Sequence, residues 1–320
     1  MEQLYIGVDL GGTNIAAGIV NKSGELLCKK SVRTNLPKPR EQIEQDILKL
    51  CTALCEKGGY DLKKDILSVG IGTPGSVDGK TGKVGFNANF GYKDWRLKEN
   101  LEGLFKLPIF VENDANAAII AEAAVGSARG CSHAVILTLG TGIGAGVLIA
   151  GKVFAGSNYA GTELGHMVID FGGRQCSCGR KGCFERYASA TALTNDTIEA
   201  MENNKNSTLW EICPTLSKVT AKTAFDGAKL GDETAMAVVN QYIEYLACGV
   251  VNVINIFQPQ VLCFGGGVSN EGEFLLNPLK AIVDREEYAR NMPKRTKLVI
   301  AKFRNDAGII GAALLGAANA

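Results

Sequence analysis

Short apolar runs and glycine-rich breaks take turns along the first third of the chain. Leu4 to Leu10 carries Leu, Ile, Val and Leu with small residues between, which predicts a buried strand. Gly11-Gly12-Thr13 breaks it, and Ile15 to Val20 predicts a second strand. Asn21-Lys22-Ser23-Gly24 reads as a turn and Glu25 to Thr34 as a third strand. Behind Pro39 the period changes. Ile43, Ile47, Leu50 and Leu54 fall on one face of a helix. Ile66 to Ile71 predicts a strand ending in Gly72-Thr73-Pro74-Gly75. Ile109 to Val111 predicts another, which runs into Glu112-Asn113-Asp114. Ala115 to Val125 is then rich in helix formers.

The pattern restarts at Val135 to Leu139, a strand followed by Gly140-Thr141-Gly142-Ile143-Gly144 and a strand from Ala145 to Ala150. Strand, Gly/Thr turn and strand thus occur twice, as a repeat of plan with little residue identity. A long helix (Thr234 to Phe257), a strand (Val261 to Phe264), the turn Gly265-Gly266-Gly267 and a helix (Glu273 to Glu287) follow. A strand from Leu298 to Phe303 and a small-residue helix from Ala307 to Ala318 complete the pattern. Two α/β lobes are the economical reading.

The glycines matter because they sit at strand ends. A turn without Cβ atoms lets backbone N–H groups approach a phosphate closely. Gly11-Gly12-Thr13, Gly140-Thr141-Gly142 and Gly265-Gly266-Gly267 are three such turns. The first two lead into strands. Gly140-x-Gly142-x-x-Ala145 therefore fails the dinucleotide fingerprint, which needs a helix next. Gly75 to Thr81 is one residue short of a Walker loop and is set aside. A tight hairpin turn with no ligand is the plain alternative for each turn. Asp9, just before the first, supplies the carboxylate that a hydrated Mg²⁺ beside a phosphate turn requires.

Composition narrows the picture further. The chain has 320 residues, 46 % apolar and 21 % charged, as in an ordinary globular protein. Lys and Arg number 34 against 33 Asp and Glu, a balance that argues against nucleic acid as the main partner. No run approaches about 18 consecutive apolar residues, and the first residues lack the basic stretch of a secretory leader, so no membrane span or export is expected. Ten cysteines in a chain expected in a reducing cytoplasm point away from disulfides. Three of them, Cys176, Cys178 and Cys183, lie together, and His166 precedes them. Three thiolates and an imidazole are a structural tetrahedral Zn²⁺ set. Three reduced surface thiols are the alternative. A zinc-ribbon DNA module would need paired CxxC knuckles and a basic surface, and has neither here. His133, just before an apolar strand, reads as a packing or surface residue.

Four segments carry a resemblance to a known family: Asp9-Leu10-Gly11-Gly12-Thr13-Asn14, Glu112-Asn113-Asp114-Ala115-Asn116-Ala117, Leu139 to Gly146, and Glu163-Leu164-Gly165-His166 continuing to Cys176-x-Cys178-Gly179-x-x-Gly182-Cys183-x-Glu185. Together they are similar to the ROK family (repressors, open reading frames and sugar kinases), above all to its glucose-phosphorylating members. The Cys-x-Cys-Gly-x-x-Gly-Cys-x-Glu string is the most specific part. The likeness covers nearly the whole chain.

The resemblance implies an α/β protein with the two-lobed actin-like ATPase (ribonuclease H-like) fold and a central cleft. It divides the chain into residues 1–117, joined by the C-terminal helix 304–320, and residues 118–303 with the zinc motif. Asp114 then takes the proton from a sugar 6-hydroxyl. The chemistry agrees, because an alcohol at pH 7 needs a positioned carboxylate to become a nucleophile. A mere helix cap is the other use for an Asp here. By the same resemblance Gly75, Asn89, Asn113, Asp114, Glu163, His166 and Glu185 contact the sugar. Asp9, Gly11, Gly12, Thr13, Asn14, Thr141, Gly142, Gly265, Gly266 and Gly267 hold ATP, with Asp9 helping to place Mg²⁺. His166, Cys176, Cys178 and Cys183 hold Zn²⁺, which acts as support and not as a catalytic ion. Without the family, Glu163 and Glu185 read as exposed charges.

The implied reaction is ATP-dependent phosphorylation of glucose at the 6-hydroxyl, by a cytoplasmic homo-oligomer, a dimer or tetramer, with no nucleic acid or membrane partner. A kinase for N-acetylmannosamine, N-acetylglucosamine, mannose, allose or fructose is the main rival, since pocket shape and a few hydrogen bonds sort these sugars. The segment Cys183 to Thr191 looks most like the glucose enzymes. The third reading is a sugar-sensing repressor. Such relatives carry a helix-turn-helix ahead of the first glycine turn, and here eight residues precede Asp9.

Overall fold

The computed structural model describes residues 2–87 and 90–319. The chain opens with β1 (Leu4–Leu10), β2 (Asn14–Asn21), β3 (Leu26–Arg33) and α1 (Arg40–Gly58). Next come β4 (Ile66–Thr73), β5 (Ser76–Asp78), β6 (Lys83–Asn87), β7 (Tyr92–Trp95), α2 (Leu97–Phe105), β8 (Ile109–Asn113) and α3 (Asp114–Val125). The pattern resumes with β9 (Ala134–Leu139), β10 (Ile143–Ile149), β11 (Lys152–Val153), α4 (Glu185–Ala188), α5 (Ala190–Asn203), α6 (Leu209–Ile212) and α7 (Ala221–Lys229). It closes with α8 (Glu233–Phe257), β12 (Val261–Gly265), α9 (Glu273–Glu286), β13 (Lys297–Ile300) and α10 (Ala307–Asn319).

One five-stranded sheet has the order β3-β2-β1-β4-β8, and another has the order β11-β10-β9-β12-β13. The two orders correspond strand for strand, so the repeat of plan is a repeat of topology. In the first sheet β2 runs antiparallel to β1 and β3, whereas β1, β4 and β8 are parallel. In the second, β10 and β11 are antiparallel and β12 and β13 parallel. The strand that follows Gly142 confirms why a dinucleotide fingerprint fails there.

Alternation along β1 builds the core of the first unit. Leu4, Ile6, Val8 and Leu10 join Ile43, Ile47, Leu50 and Leu54 of α1 in one buried cluster. Each such side chain contributes about 1.5–3 kcal/mol on burial. The other face of the sheet carries glycines, and α10 lies against it. A methyl group on Gly7 would come within 1.8 Å of the Ile309 carbonyl oxygen, and one on Gly70 within 1.8 Å of that of Ala312. Gly311 of α10 stands equally close to α3, with space for no methyl beside the Ala117 carbonyl.

The chain divides into two compact units. The first runs to Ile136 and includes Gly146–Thr162 and the segment from Asn305; the second is Leu137–Ala145 with Glu163–Arg304. The last helix falls in the first unit, and the units do not part after residue 117. Helix α3 remains with the first unit because α10 packs along it. Gly146 joins the same unit, its Cα against the Ala115 carbonyl.

Strands β5 to β7 form a small antiparallel sheet that the pattern did not announce. Their outward faces are polar or exposed, and Phe86 is 50 % exposed, so no alternation marks them. Helix α8 has the length and apolar composition to cross a membrane. Here its Val239, Tyr242, Ile243, Leu246 and Val250 are buried, and it packs on α5, α7 and α9 as a core helix.

Candidate active site

In the first unit the candidate residues gather where the parallel strands end. Asp9 pairs with Gly72 across β1 and β4, and Thr73 pairs with Asn113 across β4 and β8. The carboxyl ends of parallel strands are where open α/β sheets place ligands. Asn113 caps α3, its side chain accepting the amides of Ala115 and Asn116 at 2.9 and 3.2 Å. Its amide group donates to the Gly75 carbonyl at 3.1 Å. Asp114 is the first residue of the helix, with Oδ1 sharing the Ala115 amide at 2.9 Å. Burial raises its pKa against the opposing pull of that hydrogen bond. Burial, and after it the charge of Asp114, pushes Asp9 up to about 7. The Asp114 charge thus disfavours ionisation of Asp9 at the same end of the sheet, and a cation nearby would relieve it.

The Gly11-Gly12-Thr13-Asn14 turn closes on a bond from the Gly11 amide to the Asn14 carbonyl at 3.0 Å. The Thr34 hydroxyl donates to the Gly11 carbonyl at 2.7 Å and pins it from behind. Among the described residues, the Gly12 and Thr13 amides have no acceptor in the chain, the arrangement of an anion-binding turn. Gly75 has φ +101°, and a side chain there would strike the Phe86 carbonyl. Asn89 lies outside the described residues. The neighbouring Asn87, which the sequence pattern did not flag, is fully buried and donates to the Pro74 carbonyl at 2.6 Å. It fixes the turn that carries Gly75.

The second unit holds the other turns. Gly140 donates to the Gly142 carbonyl at 3.1 Å, while its own carbonyl accepts the Ala190 amide at 2.8 Å. A methyl on Gly142 would lie 2.6 Å from Glu185 Oε2, so this glycine lets Glu185 approach the turn. Gly266 has φ +80° and presses on the Leu139 carbonyl. Beside this turn is a cavity of about 600 Å³, walled by Thr141, Phe225, Gly267 and Val268, with Lys229 and Glu271 among its lining.

His166 lies in a single 3-10 turn (Leu164–His166), with Glu163 directly before it. The His166 Nδ1 is 3.6 Å from Cys176 Sγ and 3.7 Å from Glu185 Oε1. Cys178 and Cys183 have sulfurs 3.6 Å apart. The four candidate ligand atoms all fall within 4.8 Å of one another. Tetrahedral Zn–S bonds of about 2.3 Å imply sulfur separations near 3.8 Å, so this donor set fits Zn²⁺ in spacing as well as in chemistry. Burial raises the Cys183 thiol pKa, whereas the Arg180 amide lowers that of Cys178. Gly182, at φ +80°, leaves no space for a Cβ beside the Asp170 carbonyl and so brings Cys183 back to the others. Cys176 Sγ also donates to Glu185 Oε1 at 3.3 Å, which ties the last predicted sugar ligand to the cluster.

Behind the cluster lies a network that the sequence did not disclose. The Arg174 guanidinium stacks on Tyr187 at 4.7 Å and pairs with Asp196 at 2.9 Å. It ties the loop before Cys176 to α4 through Tyr187 and to α5 through Asp196.

Twin sheets of this order, each opening on a glycine turn, define the actin-like ATPase class of fold. The chain belongs to the ROK family, whose model matches residues 5–319. It is 38 % identical over 312 residues to a glucokinase of Thermotoga maritima, covering 96 % of this chain and 95 % of that one. A glucokinase of Halalkalibacterium halodurans is 35 % identical, with 97 % and 94 % covered. A ROK family glucokinase from Streptomyces griseus, solved in complex with glucose and AMPPNP, superposes with a TM-score of 0.87 at 33 % identity over 98 % of each chain.

Proposed function

We propose that this chain is a glucokinase, transferring the γ-phosphoryl group of ATP to the 6-hydroxyl of glucose to give glucose 6-phosphate and ADP. The observation that carries this reading is the Asp114 carboxylate. It stands at the end of β8, directly after the residue that caps α3, with a pKa raised by burial. A carboxylate so placed can take the proton of an alcohol as phosphoryl transfer begins. Family membership and the two glucokinase relatives support it.

The roles then divide among the residues. Asn113 and Gly75 position sugar hydroxyls in the first unit, with Asn89 assigned to the same task. Glu163, His166 and Glu185 do so in the second, where carboxylates and imidazole match hydroxyls that both donate and accept. The Gly11–Asn14 and Thr141–Gly142 turns bind the phosphates through backbone amides, and the Gly265–Gly267 turn with its cavity takes the nucleoside. Asp9 would hold Mg²⁺, which supplies charge neutralisation for the phosphates when bound. Cys176, Cys178, Cys183 and His166 Nδ1 would hold Zn²⁺, which when bound fixes the imidazole and leaves Nε2 free for a sugar hydroxyl. We place the reaction in the cytoplasm, where thiols remain reduced, and assign a homo-oligomer, a dimer or tetramer, as the working species.

The test is a coupled ADP-release assay with Mg-ATP and glucose, mannose, fructose, allose, N-acetylglucosamine and N-acetylmannosamine, run beside Asp114→Asn. Turnover greatest on glucose and abolished in the variant is the expected result. Turnover confined to another sugar keeps the mechanism and replaces the substrate. Sugar binding with no turnover on any of them overturns the kinase reading in favour of a sensor.

A further inference from the structure

The cavity beside the Gly265–Gly267 turn contains a charged pair that the phosphate chemistry does not use. Glu271 ends the 3-10 turn after the glycines (Gly267–Glu271) and Lys229 ends α7. The two side chains are hydrogen-bonded to each other, and both line the cavity. The Glu271 side chain is only 9 % exposed, whereas that of Lys229 is 41 % exposed. Lys229 also lies over the Phe274 ring at 5.6 Å, which holds its stem in place. Among the described residues, Lys229 is the one hydrogen-bond partner of the Glu271 carboxylate, and it takes Oε2. A carboxylate offers about four acceptor positions. The positions that Lys229 does not take are left to whatever fills the cavity that Glu271 lines.

The rest of the cavity indicates what that donor belongs to. Its wall is apolar at Val219, Phe225 and Val268, suited to a flat ring. Lys222, at the other end of α7, is hydrogen-bonded to Asp226 at 2.5 Å and reaches Glu271 only through a longer-range attraction between the charges. Thr141 of the second phosphate turn lines the same space. A molecule with a planar apolar part, phosphates at the Thr141 end and N–H or O–H groups elsewhere is a nucleoside triphosphate.

We infer that Glu271, clamped by Lys229, accepts a hydrogen bond from the nucleoside of the phosphoryl donor and so sets which donors are used. This rests on the kinase reading above. Two parts of a nucleoside carry the required donor, the ribose hydroxyls and the exocyclic amine of the base, and the two are separable by experiment.

The experiment measures kcat and KM with glucose for ATP, 2′-deoxyATP, 3′-deoxyATP and ITP, and calorimetric binding of the same nucleotides without sugar. It compares the wild type, Glu271→Gln and Lys229→Met, each checked for folding by circular dichroism. The wild type is expected to prefer ATP to at least one analogue by about tenfold or more, and Glu271→Gln to shrink that preference to under about threefold through KM, with kcat held. Lys229→Met, which keeps the carboxylate and frees it from its clamp, is expected to fall between. A lost preference against a deoxynucleotide assigns the ribose; one against ITP assigns the amine. Preferences unchanged within about twofold in both variants, or no preference in the wild type, overturn the inference. The two readings fail separately. Unchanged preferences with brisk glucose turnover sink this one alone, whereas altered nucleotide binding with no sugar turned over sinks the kinase alone.

Discussion

Asn113 caps helix α3 so that Asp114 need not. The Asn113 side chain accepts two helix amides, at 2.9 and 3.2 Å, and the next residue is left to present its carboxylate at the strand end. On the proposed reading, adjacent positions divide a structural task from a chemical one. The sequence motif left both uses open for Asp114, and the geometry gives the cap to its neighbour.

Asp114→Asn is therefore expected to lower kcat by about 10²–10⁴ while leaving thermal stability near that of the wild type. Asn113→Ala is expected to cost about 1 kcal/mol of stability through the lost cap, with weaker sugar binding beside it. Calorimetry and steady-state kinetics on both variants check the division. A large stability loss in Asp114→Asn with residual turnover would reverse the two roles.

Asp9 gives a pH signature. Its pKa is about 7 in the folded protein against an ordinary 3.8. Between those values the folded chain keeps a proton that the unfolded chain has released, so stability falls as pH rises through that window. Asp9→Asn removes the dependence. It is expected to raise Tm by a few degrees at pH 8, to change it little near pH 3.5, and to abolish turnover. A variant less stable than the wild type at pH 8 would contradict the assignment. The same burial at Asp114 predicts an acid limb in the kcat profile above the ordinary carboxylate range.

The metal site makes a separable claim. Purified protein is expected to carry about one Zn²⁺ per chain, and Cys178→Ser or chelation to raise KM for sugar about tenfold or more, with KM for ATP changed far less. Elemental analysis and paired titrations read both. Sugar affinity intact after complete metal removal would detach His166 and Glu185 from the cluster.

Much of this was legible beforehand because strong local signals carried it. The four apolar positions of α1 are all buried, and both glycine turns that precede strands lie between paired strands. Cys176, Cys178, Cys183 and His166 converge because glycines at positive φ fold the loop back on itself. What stayed hidden depends on partners distant in sequence. Glu271 and Lys229 are ordinary surface residue types until α7 and the 3-10 turn meet. Asn87 shows its role only once Pro74 lies above it. Strands β5 to β7 bury one apolar side chain each, Val77, Val84 and Trp95, which meet only once the strands pair. Which compact unit holds α3 depends on packing against a helix nearly 200 positions later, which no local signal around residue 117 carries.

That packing is itself testable. Gly70→Ala places a methyl 1.8 Å from the Ala312 carbonyl, where backbone must move, and is expected to cost about 3 kcal/mol or more, or to yield insoluble protein. Gly103→Ala, on an open face of α2 with nothing within 4 Å, is expected to be neutral or to stabilise by about 0.5–1 kcal/mol. Equal denaturation midpoints for the two variants would remove the case for a tight seam.

The seam also sets an order of events during synthesis. β1 and β4 leave the ribosome early, yet the helix that covers their glycine face is made only after the whole second unit. At about 5–20 residues per second the bare face of the sheet waits tens of seconds for its cover. Over that interval the nascent chain exposes a strip of open backbone with few side chains to shield it. Expression is therefore expected to depend on chaperone supply and on translation speed more than the finished protein's stability would suggest, and slowing the ribosome over the α5 to α9 region should lengthen the exposure.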